Sequence, residues 1–248
     1  MLLNGKTAII TGSNRGIGHT ILETFAREGC STIWAHARCE SVSFSNEVNV
    51  LSEKFGTEII PVYFDMTDTE LLRESIKNLI RSKKRIDILV NNAGIAHGGL
   101  FQMTPVQQIK DVFDVNFFAG MEITQLVTRI MTKQKSGSII NMASISGIDL
   151  KKGNCAYGVS KAAVIAWTKT LSSELGSYGV RVNAVAPGLT DTRMATLMEE
   201  NAGMEMVNDS AFSRLGSPQE IANTVLFLAS DLSSFINGQV IRVDGGRK

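Results

Sequence analysis

The stretch TAIITGSNRGIG, Thr7 to Gly18, decides the architecture of this chain. Thr7–Gly12 is a short β-branched, apolar run and reads as a buried strand. Gly12, Gly16 and Gly18 follow in a GxxxGxG spacing, and Ile17, Ile21, Leu22 and Phe25 then recur at helical period until Gly29. A strand that turns through glycines directly into a helix is the opening half of a βαβ unit. The first glycine permits a tight turn. The later two let backbone and helix come close to a pyrophosphate, with the helix N-terminus facing that anion. A glycine turn of this kind also serves purely structural ends. Here it opens the first βαβ unit, so it lies at the carboxyl ends of the strands, where open α/β sheets bind ligands.

Outward from this stretch, strand and helix patterns alternate. STIWAHA, EIIPVYFD and IDILVNNAG read as strands two to four, separated by the helical patterns SNEVNVLSEKFG and DTELLRESIKNLIRSK. One long helical stretch is predicted from about Thr104 to Gln134, then strand five, GSIINMAS. A helix from Cys155 to about Tyr178 and strand six, GVRVNAVAPG, follow. A less regular segment, residues 189–215, precedes the helix SPQEIANTVLFLASD. There Ser217 can cap, Pro218 takes the first turn and Glu220 completes a capping box. GQVIRVDGG is the last strand. This alternation predicts an α/β protein: a single doubly wound parallel sheet, a Rossmann fold, with helices on both faces. With no repeat, linker or low-complexity stretch, residues 1–248 read as one domain.

Composition narrows the function. The chain has 248 residues, 44% of them hydrophobic, and a net charge of +1. That balance and the absence of a concentrated basic run imply no nucleic-acid partner. No apolar run approaches the ~18 residues that span a bilayer. The N-terminus lacks the pattern of a signal peptide, so no membrane association and a cytoplasmic location are expected. Cys30, Cys39 and Cys155 form no CxxC pair and the three histidines are scattered, which fits free thiols and no metal site.

The end of the second strand bears on the choice of dinucleotide. An enzyme that takes NAD usually places a carboxylate there for the ribose 2′-hydroxyl. This strand ends His36-Ala37-Arg38, and the next acid is Glu40. Arg15 and Arg38 are placed to meet a 2′-phosphate, which suits guanidinium geometry; two such arginines can equally be solvated surface charges. The expected cofactor is NADP(H), and a His36→Asp exchange is expected to turn preference toward NADH.

Tyr157 and Lys161, in CAYGVSK, stand four residues apart and share a helix face. They form either an ordinary helix-surface pair or a general acid beside a cation. The rest of the chain bears on that choice. In order it carries TGSNRGIG, NNAG (Asn91–Gly94), DVN (Asp114–Asn116), NMASISG with Ser144, YGVSK and PGLTDT. Over essentially its whole length the chain resembles the short-chain dehydrogenase/reductases. The resemblance implies a catalytic tetrad of Asn116, Ser144, Tyr157 and Lys161. It implies cofactor contacts from Gly12, Asn14, Arg15, Gly16, Ile17, Gly18 and Arg38, and an adenine contact from Asp65 or Met66. Asn92, Ala93, Gly94, Pro187, Gly188, Thr190 and Thr192 would border the cofactor, with Tyr157 and Lys161 serving it as well. Lysine near the phenol is expected to favour the phenolate.

Within that family the chain looks like the 3-oxoacyl-[acyl-carrier-protein] reductases. It resembles them in its Arg15 turn and in RLGSPQEIANTVLFLASD and NGQVIRVDGG, features that sugar, polyol and secondary-metabolite members share. A carbonyl compound or acyl thioester is thus the expected substrate, with acyl carrier protein a possible partner; a non-catalytic dinucleotide sensor is the remaining alternative. Ser173 stands where that branch often has a basic docking residue, Lys135 keeps a second one, and the C-terminus lacks the branch's apolar tail. Residues 189–215, with Met194, Met198, Met204 and Met206, are expected to form a substrate lid. The resemblance also implies a homo-tetramer.

Overall fold

The computed structural model describes residues 1–192, 207 and 210–247. Seven parallel strands form one sheet in the order β3-β2-β1-β4-β5-β6-β7. In chain order they are β1 (Thr7–Ile10), β2 (Thr32–Ala37), β3 (Glu58–Tyr63), β4 (Ile88–Asn91), β5 (Gly137–Met142), β6 (Val180–Pro187) and β7 (Val240–Val243). Pro61, which lacks a donor for the ladder, is tolerated because β3 is an edge strand. The order reverses between β1 and β4, and the crevice for a ligand opens there, beyond the strands' carboxyl ends.

Side chains that alternate along the strands build two apolar layers. On one face Ala8, Ile10, Ile33, Ala35, Ile88 and Val90 pack under helices α1 (Gly16–Arg27), α2 (Val42–Phe55) and the last helix, through Phe25, Phe44 and Val225. On the other, Ile9, Trp34, Leu89 and Ile139 pack under α3 (Thr69–Arg81) and α5 (Ala119–Gln134), through Leu72, Ile76, Ile123 and Val127. The last helix, α7 (Pro218–Ala229), starts on the expected capping box of Ser217 and Glu220.

The long predicted helix is interrupted. It consists of α4 (Val106–Phe113), one π-helical turn (Asp114–Phe118) and α5. The inserted residue turns Asn116 inward, where it is buried, as local π-turns at functional sites do. Helix α6 (Cys155–Leu175) ends three residues short of the expected Tyr178, which lies in a 3₁₀ turn, Gly176–Tyr178. Among the described residues no helix is long and apolar enough to cross a membrane. The expected lid lies largely outside the described residues, including all four of its methionines.

Candidate active site

The glycine turn is built so that only glycine fits. Gly12 and Gly16 have φ of 66° and 55°, a backbone region costly for residues with a Cβ. A Cβ on Gly18 would overlap the Gly12 carbonyl oxygen, and one on Gly12 would come within 2.9 Å of the Ala93 Cα. Helix α1 begins here with no side-chain cap and no acidic residue in its first turn. Its leading N–H groups are therefore left for an anion. The turn is tied to the end of β4 by Thr11, whose hydroxyl accepts from the backbone N–H of Asn92 and Ala93 at 2.9 and 3.0 Å. Asn92 Nδ2 donates in return to the carbonyls of Thr11 and Gly12, at 2.8 and 3.1 Å. The donor set and the cradle fit a dinucleotide pyrophosphate. Thr11 was not marked by the sequence; its position after the strand's last apolar residue was the available signal.

Gly94 continues the path into the expected tetrad: a Cβ there would lie 3.1 Å from Asn116 Oδ1 and 3.5 Å from Lys161 Nζ. Asn116 braces the loop after β4, accepting from Ile95 N–H at 2.8 Å and donating to the Ile95 carbonyl at 2.9 Å. It also donates to Ser160 on α6. Ser144 follows β5 in extended backbone, φ −163°, and its hydroxyl accepts from Ser146 N–H. Gly147 lets this segment press against α6, since a Cβ there would meet the Lys161 carbonyl carbon at 2.6 Å. The Ser144 hydroxyl thereby faces the Tyr157 phenol and lowers it. Lys161 Nζ lies 5.8 Å from the Tyr157 ring centroid and donates to the Met142 carbonyl at 2.7 Å. The structure thus brings together all four residues of the expected tetrad.

The electrostatics differ from the expectation in one respect. Burial pushes the Tyr157 phenol above its ordinary range, and the Ser144 hydroxyl offsets that only in part. Burial likewise lowers the Lys161 ammonium to about 8. The expected depression of the phenol by the lysine is not found: desolvation has the largest effect on the phenol, and the Ser144 hydroxyl is what opposes it.

The other expected residues fall around the same crevice. Asn14 and Arg15 are exposed on the turn, and Ile17 packs inward on the core. Thr192 lays its methyl against Gly16, 3.6 Å from where a Cβ would stand, and its hydroxyl donates to the Thr190 carbonyl. Pro187 ends β6, and the Thr190 hydroxyl donates back to Gly188 O at 3.1 Å. Met66 is buried in the second core layer. Asp65 accepts from the backbone and hydroxyl of Thr67 and lies 3.8 Å from the exposed guanidinium of Arg38. Position 36 is not an open place for a carboxylate. His36 is 3% exposed, with its Nδ1 accepting from Gly12 N–H and its Nε2 against the Phe64 carbonyl. An aspartate there would be a buried carboxylate beneath the turn, within reach of the Gly12 N–H and not of an open ribose site, so the structure does not offer the simple cofactor switch expected for His36→Asp.

Comparison with known proteins settles the family. The family model described as "Enoyl-(Acyl carrier protein) reductase" matches residues 12–248. The 3-oxoacyl-[acyl-carrier-protein] reductase FabG of Thermotoga maritima is 38% identical over 248 residues, 99% of each chain. The chain belongs to the short-chain dehydrogenase/reductase family. The 3alpha-hydroxysteroid dehydrogenase of Mediterraneibacter gnavus is 35% identical over 249 residues, covering 100% of this chain and 99% of that one. A solved structure from Beutenbergia cavernae, provisionally named an NAD(P)-dependent gluconate 5-dehydrogenase and holding NADP at low occupancy, superposes with a TM-score of 0.91. It is 31% identical, covering 98% of this chain and 96% of that one. The protein is accordingly an oxidoreductase of the short-chain dehydrogenase/reductase family, similar to its 3-oxoacyl-[acyl-carrier-protein] reductases.

Proposed function

We propose that the protein is an NADPH-dependent carbonyl reductase acting on 3-oxoacyl thioesters. The Ser144–Tyr157 pair carries this reading, because it sits beside Lys161 and across Gly94 from the glycine turn. Bound NADPH supplies the hydride that converts the carbonyl to an alcohol. Gly12, Gly16 and Gly18 admit the pyrophosphate, and the leading N–H groups of α1 meet its charge. Arg15 and Arg38 would hold the 2′-phosphate, and Lys161 the nicotinamide ribose. Asn14, Asp65, Met66, Asn92, Ala93, Pro187, Gly188, Thr190 and Thr192 would border the rest of the cofactor.

Ser144 would hold the substrate oxygen by a hydrogen bond. Negative charge gathers on that oxygen as the carbon is reduced, and the Tyr157 hydroxyl would give it a proton. The Ser144 hydroxyl, which lowers the phenol, would stabilise the tyrosinate so formed, and Asn116 keeps the loop and α6 in register. An oxygen held between two hydroxyls describes a carbonyl substrate better than a carbon–carbon double bond.

The substrate class is supported by the rim of the site. Ile95, Leu100 and Phe101 on the loop after β4, with Ile148 and Leu150 after Ser144, are exposed apolar side chains. Gly99 N–H donates to the Gly153 carbonyl, so the two segments meet just ahead of α6. Such a rim suits an acyl chain more than a polyol. Lys135, at the end of α5, is offered as a contact for acyl carrier protein. NADPH oxidation with an acetoacetyl thioester, with and without acyl carrier protein, beside gluconate-type ketoses and a 3-ketosteroid, tests the reading. Turnover confined to the sugars or the steroid would replace the thioester, and turnover of none would overturn the function.

A further inference from the structure

His36 has a place in the site that its sequence position did not reveal. It is the penultimate residue of β2, and its side chain points beneath the glycine turn, 3% exposed. The Gly12 N–H donates to Nδ1 at 3.1 Å, so Nδ1 is the unprotonated ring nitrogen. Nε2 then carries the hydrogen and donates to the Phe64 carbonyl at 2.9 Å. Both ring nitrogens are used and the tautomer is fixed. The ring is tilted on Phe64 with centroids 4.0 Å apart. The backbone adds to the hold: the His36 carbonyl accepts from Ser13 N–H at 2.8 Å and from the Ser13 hydroxyl at 3.0 Å. Burial drives the imidazole down to about 4, against the opposing pull of the Phe64 carbonyl and Asp65, so the ring stays uncharged near neutrality.

Gly12 is the residue from which the turn departs. Its N–H is held by His36 and its carbonyl by Asn92, and that carbonyl lies against Gly18 of α1. Where Gly12 sits therefore determines where the helix N-terminus points.

We propose that His36 is a positioning residue for the dinucleotide, its imidazole pinning the first glycine of the turn to the end of β2. This rests on the dinucleotide reading given above. The pin acts on the part of the site that meets the pyrophosphate, which NADH and NADPH share, so its loss weakens both alike.

Three variants separate positioning from stability. In His36→Asn the amide oxygen reaches where Nδ1 lies and can still accept from Gly12. In His36→Gln the amide reaches where Nε2 lies and keeps only the Phe64 contact. His36→Ala keeps neither. Titration of NADPH and of NADH, followed by nicotinamide fluorescence, is expected to give affinities within about threefold of wild type for the Asn variant. The Gln and Ala variants should bind both cofactors at least tenfold more weakly. In cofactor-free melts the Asn and Gln variants should lose similar stability, since each surrenders one hydrogen bond. Asn binding as poorly as Gln, or Ala binding like wild type, would overturn the proposal. If Ala does not fold, the Asn–Gln difference still decides. Wild-type protein that binds neither cofactor would instead overturn the dinucleotide reading. The pin itself would then rest on ¹⁵N spectra of labelled histidine, where a protonated Nε2 and bare Nδ1 at neutral pH are expected and the opposite tautomer would refute it.

Discussion

Replacing Lys161 with methionine should make the cofactor-free protein more stable, although it removes a residue central to the site. Lys161 is 4% exposed. Burial alone moves its ammonium from 10.5 to about 8, and one backbone carbonyl, Met142 O, receives it. A depression of about 2.5 units at ~1.4 kcal/mol each is a cost of about 3 kcal/mol near pH 7. Methionine has nearly the same length and no charge. It leaves the Met142 carbonyl without that donor, which returns ~1 kcal/mol. The net gain is about 2 kcal/mol, or a Tm higher by about 4–8 °C for a chain of this size. The folded-state value lies below the unfolded one, so between about 8 and 10.5 the unfolded wild-type chain binds more protons than the folded chain. Wild-type stability therefore rises with pH across that window, and by pH 10 the cost has fallen to about 1 kcal/mol. Calorimetry on both proteins at pH 7 and pH 10, at equal concentration and without cofactor, should show a clear gain at pH 7 that all but vanishes at pH 10. A variant that melts below wild type at pH 7, or a gain independent of pH, would refute the reasoning.

Three further outcomes are expected. Gly18→Ala should abolish NADPH binding by fluorescence titration while leaving a folded protein by circular dichroism, because its Cβ would overlap the Gly12 carbonyl oxygen. Arg38→Ala should weaken NADPH by roughly tenfold to a hundredfold, the scale of one charged contact, and leave NADH binding unchanged in the same titration. Light scattering should find a homo-tetramer at micromolar concentration, which the exposed Val106 and Phe118 on α4 and its π-turn favour; a monomer would count against it.

The fold was legible because its signals are local. Glycines at turns, the Ser217–Glu220 capping box and alternating apolar runs each act within a few residues. The π-turn at Asn116 was not legible, since a single inserted residue leaves the apolar period of a long helix nearly intact. The tetrad was legible as a set of residue types in order. Its electrostatics were not, because they depend on burial and on a backbone carbonyl, Met142 O, that no residue type announces. His36 shows the same limit: its pattern position read as a missing acid, whereas its contacts come from Gly12 and Phe64, 24 and 28 residues away. Most of the expected lid, residues 189–215, lies outside the described residues.

The central claim is that Tyr157 protonates a carbonyl oxygen held by Ser144. Tyr157→Phe removes one hydroxyl and leaves the ring, so its effect on NADPH oxidation with an acetoacetyl thioester tests that claim most directly. NADPH affinity is to be measured on the same sample. The rate should fall by roughly 10²–10⁴-fold, the usual loss when a general acid is removed, with NADPH affinity within about twofold of wild type. A Tyr157→Phe variant that keeps most of the wild-type rate would contradict the account.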